Sequence, residues 1–362
     1  MPRNRIPPRR PLLVPKFANL SPVVAAVAAS VAALLGAVVA AAGETSPAAR
    51  GPLGSGKPVV LAFGGDVHFE RILETKLAAK PSRVLAPIAP VLKRADIAVV
   101  NLETAVTTRG TPQPKQYVFR APPTAFAALR GGGVDVASMA NNHGLDYGEV
   151  GLRDSLAAAE RYRFPVIGIG RDGKRAYAPY RTTVRGQRIA ILGATQVLDD
   201  HLIGAWTAGP DKPGLASAKD VPRLLQEVRR ARRTADTVVV FLHWGRERER
   251  CPTTDQRMLA RQLVAAGADV VVGGHAHRLL GAGRMGRALV SYGLGNFVWY
   301  SASELSVQTG VLLVTVTGRR IDGYRWIPAR IVDGVPRPLT GSERPRALAS
   351  WRSLRGCTGL RP

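Results

Sequence analysis

Eight side chains of metal-ligand type stand just beyond the ends of short apolar runs in this sequence. They are carboxylates, an amide and imidazoles: Asp66, His68, Glu103, Asn142, His143, His243, His275 and His277. Oxygen and imidazole ligands suit a divalent ion such as Mn, Fe or Zn. The set therefore predicts a metal site. A carboxylate such as Glu103 or Asp66 could bridge two ions about 3.5–4 Å apart, an arrangement that supports hydrolysis at phosphoryl and acyl groups.

The most distinctive feature is a histidine pair, which follows three valines and two glycines. The valines predict a buried strand, and Gly273 and Gly274 leave room at its end, where α/β sheets bind their ligands. Extended geometry would point His275 and His277, two positions apart, to the same side. A loop with two chance histidines is the alternative, but the whole sequence contains only six histidines.

Each of the other positions also has a plainer interpretation. Asp66 could cap a helix, Glu103 could be an ordinary exposed carboxylate, Asn142 could be a turn residue, His143 could be a satisfied buried histidine, and His243 could simply pack beside a tryptophan. His201 is left out, because it lies in an Asp-rich loop that no strand precedes. Ligand types at five separate strand ends favour a shared site over independent coincidences.

Apolar runs predict the strands that would position these residues: Val59–Phe63, Ile97–Val100, Val134–Met139, Val166–Gly168, Ile189–Leu192, Val238–Leu242 and Val270–Val272. The segments between them predict helices: Val84–Ala95, Pro123–Arg130, Glu149–Arg161, Ala218–Ala235 and Thr254–Ala266. Alternation of strands and helices predicts the α/β class, with helices packed on a sheet. After Gly286 successive strands predict an antiparallel finish to the same domain.

The first 57 residues predict a targeting segment and a linker. Basic residues 1–19 precede a largely apolar stretch, residues 20–42, that is long enough to cross a bilayer core of ~30 Å as a helix. Small residues at its end also fit a cleavage site, so a signal-anchor and a signal peptide both stay open. Because the positive flank belongs in the cytoplasm, we expect a single-pass protein of the cell membrane with its domain outside the cytoplasm, or a secreted protein after cleavage. Residues 43–57, rich in Pro, Gly and Ser, predict a flexible linker.

The formal net charge of +25 can indicate a nucleic acid, an anionic polymer or an anionic membrane surface as partner, and a generic basic surface is the plainer interpretation. Aromatic residues make up only 6% of the chain, and the basic residues are scattered rather than interleaved with them. No nucleic-acid-binding motif appears in the sequence, so we do not expect a nucleic acid partner.

Cys251 and Cys357 are the only two cysteines of the sequence. An exported domain meets an oxidising compartment, where two cysteines predict one disulfide. That bond would fasten the Arg-rich C-terminal tail, residues 336–362, to the region after His243. Two buried free thiols are the alternative.

Several motifs, in order along the chain, resemble the capsule-synthesis CapA family, which is linked to poly-γ-glutamate production and belongs to the calcineurin-like metallophosphoesterase superfamily. They are Gly65-Asp66, Asn101-Leu102-Glu103, Ala140–Gly148, His243-Trp244-Gly245, Ala266–His277 and Tyr292–Phe297. The resemblance runs from about Val59 to Arg330. It implies a four-layer α/β/β/α sandwich over residues 58–335, with a two-metal site.

The resemblance also implies roles for the site residues. Asp66, His68 and His277 would hold one ion, Asn142, His243 and His275 would hold the other, and Glu103 would join them. His143 would be the general acid, oriented by Asp146. Glu103 stands where ordinary metallophosphoesterases carry Asp, whereas His68 restores the superfamily's Asp-x-His, where many CapA-like chains carry an apolar residue.

Three functions are compatible with these features. The first is a membrane-anchored hydrolase that cleaves a phosphoester or an amide in envelope material. The second is a capsule assembly component that holds or transfers an anionic polymer, within a capsule-synthesis complex. The third is metal-assisted proton abstraction next to a carbonyl group, as in an epimerase.

Overall fold

The computed structural model describes residues 51–300 and 303–362. The basic N-terminus, the predicted membrane segment at residues 20–42 and the first part of the predicted linker lie outside these ranges. Among the described residues, no helix is both long enough and apolar enough to cross a membrane. The described chain is a mixed α/β fold, as the alternation of apolar runs predicted.

The strands of the described residues are, in chain order, β1 (Val59–Val67), β2 (Ile97–Leu102), β3 (Ala105–Val106), β4 (Arg120–Ala121), β5 (Val136–Ser138), β6 (Val166–Ile167), β7 (Ile169–Gly170), β8 (Tyr180–Val184), β9 (Gln187–Thr195), β10 (Gly214–Leu215), β11 (Thr237–His243), β12 (Val270–Gly274), β13 (Ala282–Met285), β14 (Ala288–Ser291), β15 (Asn296–Val298), β16 (Gln308–Thr317), β17 (Arg320–Val332) and β18 (Val335–Pro338).

The α-helices of the same residues are α1 (Ile72–Ala79), α2 (Ala89–Leu92), α3 (Ala125–Gly131), α4 (Gly148–Arg161), α5 (Gly173–Ala176), α6 (Ile203–Trp206), α7 (Val221–Thr234), α8 (Thr254–Ala266) and α9 (Glu343–Ser353). Single 3₁₀ turns lie at Pro81–Arg83, Asp200–Leu202 and Leu354–Cys357.

Two large sheets contain most of the strands. The first has the order β18-β17-β16-β1-β2-β5-β6, with β15 also paired to β1, and the second has the order β13-β14-β12-β11-β9-β8. Strands β1, β2, β5 and β6 are parallel, and so are β9, β11, β12 and β14. The antiparallel finish expected after Gly286 holds for β16–β18, which extend the first sheet beside β1. It holds only in part for β14, which is antiparallel to β13 but parallel to β12, and it does not hold for β15, which is parallel to β1.

The two large sheets share one apolar core. Alternate positions of their strands fill it, among them Leu61 and Val99 from the first sheet and Val239 and Val272 from the second. The other face of the first sheet packs on α1–α4, and the other face of the second sheet packs on α7 and α8. The layers are therefore helix, sheet, sheet and helix. Both faces of each sheet are covered, which is why the strands read as continuous apolar runs.

Local hydrogen bonds explain where the helices begin. In α8, Thr253 Oγ1 accepts the Gln256 N–H at 3.2 Å, and Gln256 Oε1 accepts the Thr253 N–H at 2.9 Å, a reciprocal capping box.

The helix predicted over Val84–Ala95 is wrong for most of its length, since only Ala89–Leu92 is α-helical. Pro87 within that segment has no N–H to donate and its ring obstructs the preceding turn, so the chain forms turns until Ala89.

The predicted linker is only partly a linker. Residues 51–57 pack on the domain, because Gln187 Nε2 donates to the carbonyl oxygens of Leu53 and Lys57 at 3.0 and 2.9 Å. The Arg319 N–H donates to the carbonyl oxygen of Pro52 at 2.8 Å. The folded domain therefore begins before residue 58.

The C-terminal segment also belongs to the domain rather than forming a separate tail. Strand β18 pairs with β17, and the side chain of Trp351 on α9 is buried against Trp326, with ring centroids 5.3 Å apart. Cys357 is joined to Cys251 by a disulfide, with the Cα atoms 5.8 Å apart. The predicted boundary at residue 335 is replaced by a fold that continues to the end of the chain.

Candidate metal centre

The ligand-type side chains converge at the carboxyl ends of parallel strands from both large sheets. Asp66 is the penultimate residue of β1, Glu103 directly follows β2, and His243 is the last residue of β11. Asn142 and His143 follow β5 by a few residues, and His275 comes directly after β12. Because the strands in each group are parallel, these ends lie at one edge of each sheet.

Asp66 and Glu103 form the buried centre of this cluster, and neither residue has any exposed surface. Asp66 Oδ2 accepts the backbone N–H of His275 at 2.9 Å and lies 3.6 Å from His277 Nδ1. Glu103 Oε1 lies 3.4 Å from His243 Nε2 and 3.9 Å from His143 Nε2. The carboxylates therefore contact ligand-type residues that are far away along the chain, from 40 positions for His143 to more than two hundred for His275 and His277.

Two groups of ligand atoms are close enough to hold an ion. Atoms of Asp66, Glu103 and His243 lie within 4.8 Å of one another, and so do atoms of Glu103, His275 and His277. Glu103 belongs to both groups, which is the position of a bridging carboxylate. The second group contains both histidines of the pair, whereas the family resemblance assigned those two histidines to different ions.

Asn142 and His68 lie beside these groups. Asn142 Oδ1 is 2.7 Å from His243 Nε2, so it is next to one group through that histidine. The ring of His68 lies between Trp299 and Phe119, at centroid distances of 4.1 and 4.8 Å. Among the described residues, His68 is in neither close group of ligand atoms.

A divalent ion fits the donor atoms that the protein leaves without partners. Glu103 Oε1, His275 Nδ1 and both ring nitrogens of His68 are buried and have no hydrogen-bond partner among the described residues. Burying a polar atom without a partner costs about 1–3 kcal/mol, so most buried polar atoms of proteins are paired. Imidazole nitrogen and carboxylate oxygen are the ligands expected for Zn, Mn or Fe. The residues present therefore fit a divalent metal.

Burial sets the protonation states of these groups in the metal-free chain. It raises the pKa of Asp66 to about 6, with repulsion from Glu103 adding to the effect. It also raises the pKa of Glu103 to about 7. Burial lowers the pKa of His243 to about 3 and holds the pKa of His275 well below its usual value. These imidazoles are therefore neutral at pH 7, the form that binds metal.

His277 differs from the other histidines in its electrostatics. Burial alone would lower its pKa, but the carboxylates of Glu103 and Asp66 outweigh burial and raise the pKa. Its Nδ1 lies 2.9 Å from Asn296 Oδ1, which fixes the ring orientation. His277 is thus the histidine of the cluster whose protonated form the buried carboxylates stabilise.

The backbone of the histidine pair is not extended, so the sequence-based geometry for His275 and His277 is wrong. Strand β12 ends at Gly274, and φ is 90° at His275 and 53° at His277. Left-handed φ values are uncommon for residues other than glycine and concentrate at functional sites. The pair is held by this turn and by Asp66, which accepts the His275 N–H.

Gly274 allows Asp66 to approach the histidine turn. A Cβ atom at position 274 would lie 2.2 Å from Asp66 Oδ1, which is far closer than two atoms can pack. Glycine is therefore required here for close approach of the carboxylate, rather than for an unusual φ.

His143 and Asp146 form a pair at the border of the cluster. His143 Nδ1 lies 2.5 Å from Asp146 Oδ2, and the ring of Phe119 stacks on the imidazole with centroids 4.0 Å apart. Burial raises the pKa of Asp146 to about 6 and lowers the pKa of His143 well below its usual value. Asp146 thus fixes the ring and leaves Nε2 on the Glu103 side.

Lys115 was missed by the sequence analysis. Its Nζ lies 3.0 Å from Asp146 Oδ1 and also contacts the carbonyl oxygen of Asn142. Only 7% of its side chain is exposed. It comes from a segment without regular secondary structure, so neither periodicity nor spacing could have indicated it.

Asn101 was also missed, although it stands at a strand end like the others. Its Nδ2 donates to Asp66 Oδ1 at 2.8 Å and lies 3.1 Å from His243 Nδ1, while its Oδ1 accepts from Asn141 Nδ2 at 3.0 Å. In the first sheet Asn101 is directly beside Asp66. It therefore orients ligands in both sheets. Its position just before the predicted ligand Glu103 was the available signal.

A pocket of about 600 Å³ opens beside the cluster. His143 and His277 line it together with the aromatic side chains Phe119, Trp299 and Tyr300. Arg248 and Arg278 also line it. A substrate in this metal pocket would meet the imidazoles, aromatic faces, two cationic side chains and the carboxylate of Glu247.

Comparisons with known proteins agree with the arrangement of the motifs. A family model described as "Bacterial capsule synthesis protein PGA_cap" matches residues 60–301. The chain belongs to this family. Capsule biosynthesis protein CapA of Bacillus anthracis is 29% identical over 268 residues, which cover 72% of this chain and 64% of that protein. PGA biosynthesis protein CapA of Bacillus subtilis is 28% identical over 288 residues, covering 77% of this chain and 73% of that protein.

Solved structures align more distantly with this PGA_cap family member. A 5′-nucleotidase from Candida albicans aligns with a TM-score of 0.43 and 10% sequence identity, covering 82% of this chain and 58% of that chain.

Proposed function

We propose that this PGA_cap family member is a metal-dependent hydrolase that cleaves a phosphoester or an amide bond in an anionic envelope polymer, in capsule or poly-γ-glutamate biosynthesis. The observation that carries the proposal is the convergence of unpartnered, buried ligand atoms of Glu103 and His275 beside His143. The resemblance of the motifs to metallophosphoesterases of the calcineurin-like superfamily supports the same reaction class.

The protein's own groups divide the work of such a site. Asp66, Glu103, His243, His275 and His277 would hold two ions, with Asn142 and His68 adjoining them. A divalent ion, when bound, supplies Lewis-acid polarisation of a phosphoryl or acyl oxygen. Asn101 and Asn296 hold the imidazoles of His243 and His277 in place through hydrogen bonds.

His143 is placed to exchange a proton with the reacting oxygen, in the general-acid role that the family resemblance implies. Its Nδ1 is occupied by Asp146, so Nε2 is the nitrogen that exchanges a proton with the substrate. Phe119 covers one face of the ring and limits access of water. Lys115 balances the charge of Asp146 and so keeps that carboxylate fixed.

An exported location is part of the proposal. Residues 20–42 lie outside the described chain, but their sequence, behind a basic segment, supports a signal-anchor or a cleaved signal peptide. The disulfide between Cys251 and Cys357 supports an oxidising compartment, where such bonds persist.

A second candidate function is a capsule assembly component that holds the polymer without cleaving it. Arg248 and Arg278, which line the metal pocket, favour it, because two cations beside the metal cluster would retain an anionic chain even without cleavage. The two candidates differ in whether His143 is needed.

The test uses the full-length chain, purified in detergent, and variants His143→Ala and His243→Ala. His201→Ala is the matched control, because His201 is an exposed histidine outside the cluster. Bound metal is measured first, followed by hydrolysis of phosphodiester and γ-glutamyl substrates. We expect His243→Ala to lose metal and activity, and His143→Ala to keep metal and lose at least about 10²-fold in kcat. Polymer binding without hydrolysis in the metal-loaded wild type would instead favour the assembly role, and inversion of stereochemistry without cleavage would favour an epimerase.

A further inference from the structure

A second pocket lies on the C-terminal side of the metal pocket. It has a volume of about 700 Å³ and lies between strands β16 and β17 and helix α9; we call it the C-terminal pocket. Arg278 and Leu305 line both pockets, so the two cavities adjoin at these residues. A pocket of roughly 300–1,000 Å³ accommodates a drug-sized molecule, and two adjoining pockets of this size therefore fit a longer chain.

The walls of the C-terminal pocket carry cations that the protein does not neutralise. Arg250, Arg278 and Arg346 line it, and none of the three forms an ion pair with a carboxylate among the described residues. Arg278 Nη1 donates to the carbonyl oxygen of Arg248 at 3.0 Å, and Arg346 Nε donates to the carbonyl oxygen of Ser342 at 3.2 Å. These bonds direct the guanidinium groups and leave other N–H groups for a ligand. Arg330 in the same pocket differs, since it pairs with Glu304 at 2.7 Å.

The floor of the C-terminal pocket is formed by two stacked tryptophans. Trp326 and Trp351 line it with ring planes only 2° apart, and both are at least nine-tenths buried. Leu279, the neighbour of Arg278, adds a further buried apolar contact. Arginines at the walls and an apolar floor match a ligand that alternates negative charges with methylene groups.

We propose that the C-terminal pocket is a second subsite of the metal centre, which holds the part of a polycarboxylate chain that extends beyond the metal pocket past Arg278. The inference rests on the proposed function, because it takes an anionic polymer as the ligand. Arginine binds carboxylates through paired N–H donors, and the methylene segments between the carboxylates would contact Trp326 and Trp351. A bare polyphosphate offers no methylene groups for that floor.

The fold around the disulfide explains how the subsite keeps its shape. Cys251 follows Arg250 directly, and its bond to Cys357 ties this loop to the turn that follows α9. Arg257 Nη1 donates to the carbonyl oxygen of Cys357 at 3.0 Å and reinforces the same junction. The disulfide therefore cross-links the loop that carries Arg250 to the segment that follows α9, the helix that carries Arg346.

Binding by oligomers of defined length tests the subsite. Full-length wild type, the double variant Arg250→Ala/Arg346→Ala and the control Arg352→Ala are titrated calorimetrically with γ-linked glutamate dimer and decamer at one ionic strength. Arg352 is an exposed arginine of α9 that does not line the pocket. We expect the wild type to bind the decamer more tightly than the dimer. The double variant should lose about tenfold or more in decamer affinity and less than about twofold in dimer affinity, and the control should match the wild type.

Three results would overturn the subsite. One is equal affinity of wild type and double variant for the decamer. Another is an equal loss of decamer affinity in Arg352→Ala, which would show that the overall charge of the protein, rather than the pocket, determines binding. The third is binding of a polyphosphate of matched charge with the same affinity and the same dependence on Arg250 and Arg346. Thermal unfolding of each variant establishes that it is folded.

The same proteins separate this inference from the proposed function. If the wild type hydrolyses short substrates with bound metal but its affinity for the decamer does not depend on Arg250 and Arg346, the proposed subsite is wrong and the proposed hydrolase stands. If the arginine-dependent decamer binding is present but no substrate is cleaved, the hydrolase is wrong and the polymer subsite stands.

Discussion

Asp146 uses its two carboxylate oxygens on two different partners: Oδ2 lies 2.5 Å from His143 Nδ1, and Oδ1 lies 3.0 Å from Lys115 Nζ. The carboxylate also accepts the Phe119 N–H at 2.6 Å, which adds a third fixed contact. The imidazole is thereby held with Nε2 toward Glu103. Catalysis by His143 should depend on this carboxylate, whereas metal binding should not.

Asp146→Asn should lower kcat by roughly 10²-fold, because the amide cannot hold the imidazole in the same tautomer or balance its charge. Metal content should stay at the wild-type level. Hydrolysis is measured at saturating metal, with Asp154→Asn as the control, since Asp154 is an aspartate that pairs with Arg109 away from the cluster. Wild-type kcat in Asp146→Asn would remove Asp146 from the account.

Asn101→Leu should weaken metal binding about 10–100-fold. The amide donates to Asp66 and lies within hydrogen-bond distance of His243 Nδ1, and partners of this kind orient metal ligands. Competition with a chelator of known affinity measures the change. Unaltered affinity would mean that Asn101 serves only the strand pairing of β1 and β2.

Metal affinity should depend on pH through the buried carboxylates. The pKa of Asp66 is about 6 and that of Glu103 about 7, both raised by burial, so protons compete with the metal below pH 7. In the metal-free chain a raised carboxyl pKa gives stability that is present at low pH and is lost as pH rises through 6–7. A bound metal offsets this loss of stability, because it binds the ionised carboxylates of Asp66 and Glu103.

The increase in Tm on adding metal should therefore grow between pH 5.5 and pH 7.5 and then level off. Thermal unfolding with and without a chelator measures it across this range. An increase in Tm that is constant with pH, or larger at pH 5.5, contradicts these carboxylates as ligands.

The disulfide should stabilise the whole domain. It joins residues 106 positions apart. Closing a loop of that length lowers the conformational entropy of the unfolded chain, which stabilises the folded state by about 4–5 kcal/mol in the chain-entropy model. Cys251→Ser/Cys357→Ser should lower the free energy of unfolding by up to that amount, measured with urea. Two reactive thiols in the unreduced, unfolded wild type would show that the bond does not form.

The elements that carry the candidate site were accessible from the sequence, because their signals are local. Buried parallel strands are continuously apolar, as in Val238–Val240 and Val270–Val272, and ligand types directly follow them. Asp66, Glu103 and His243 could therefore be selected as candidate ligands from neighbouring residues alone. The three-dimensional groups of ligands could not, because they depend on how two sheets face each other.

Three features that the sequence did not indicate show this limit. The left-handed backbone at His275 and His277 is held by Asp66, which is more than two hundred positions away. Lys115 reaches Asp146 from an irregular segment, where no periodicity exists to place it. Trp351 is buried by stacking on Trp326, although its surrounding Arg-rich sequence resembles a solvated tail.

The central claim is that Glu103 joins two groups of metal ligands, and the metal content of Glu103→Ala tests it most directly. Full-length wild type, Glu103→Ala and the control Glu74→Ala, which changes an exposed glutamate of α1, are dialysed against Mn or Zn, and the bound metal is determined by mass spectrometry. We predict about two ions per wild-type and control chain and fewer than one in Glu103→Ala, because Glu103 belongs to both groups. A wild type without metal, or a Glu103→Ala protein that retains the wild-type content, would contradict the account.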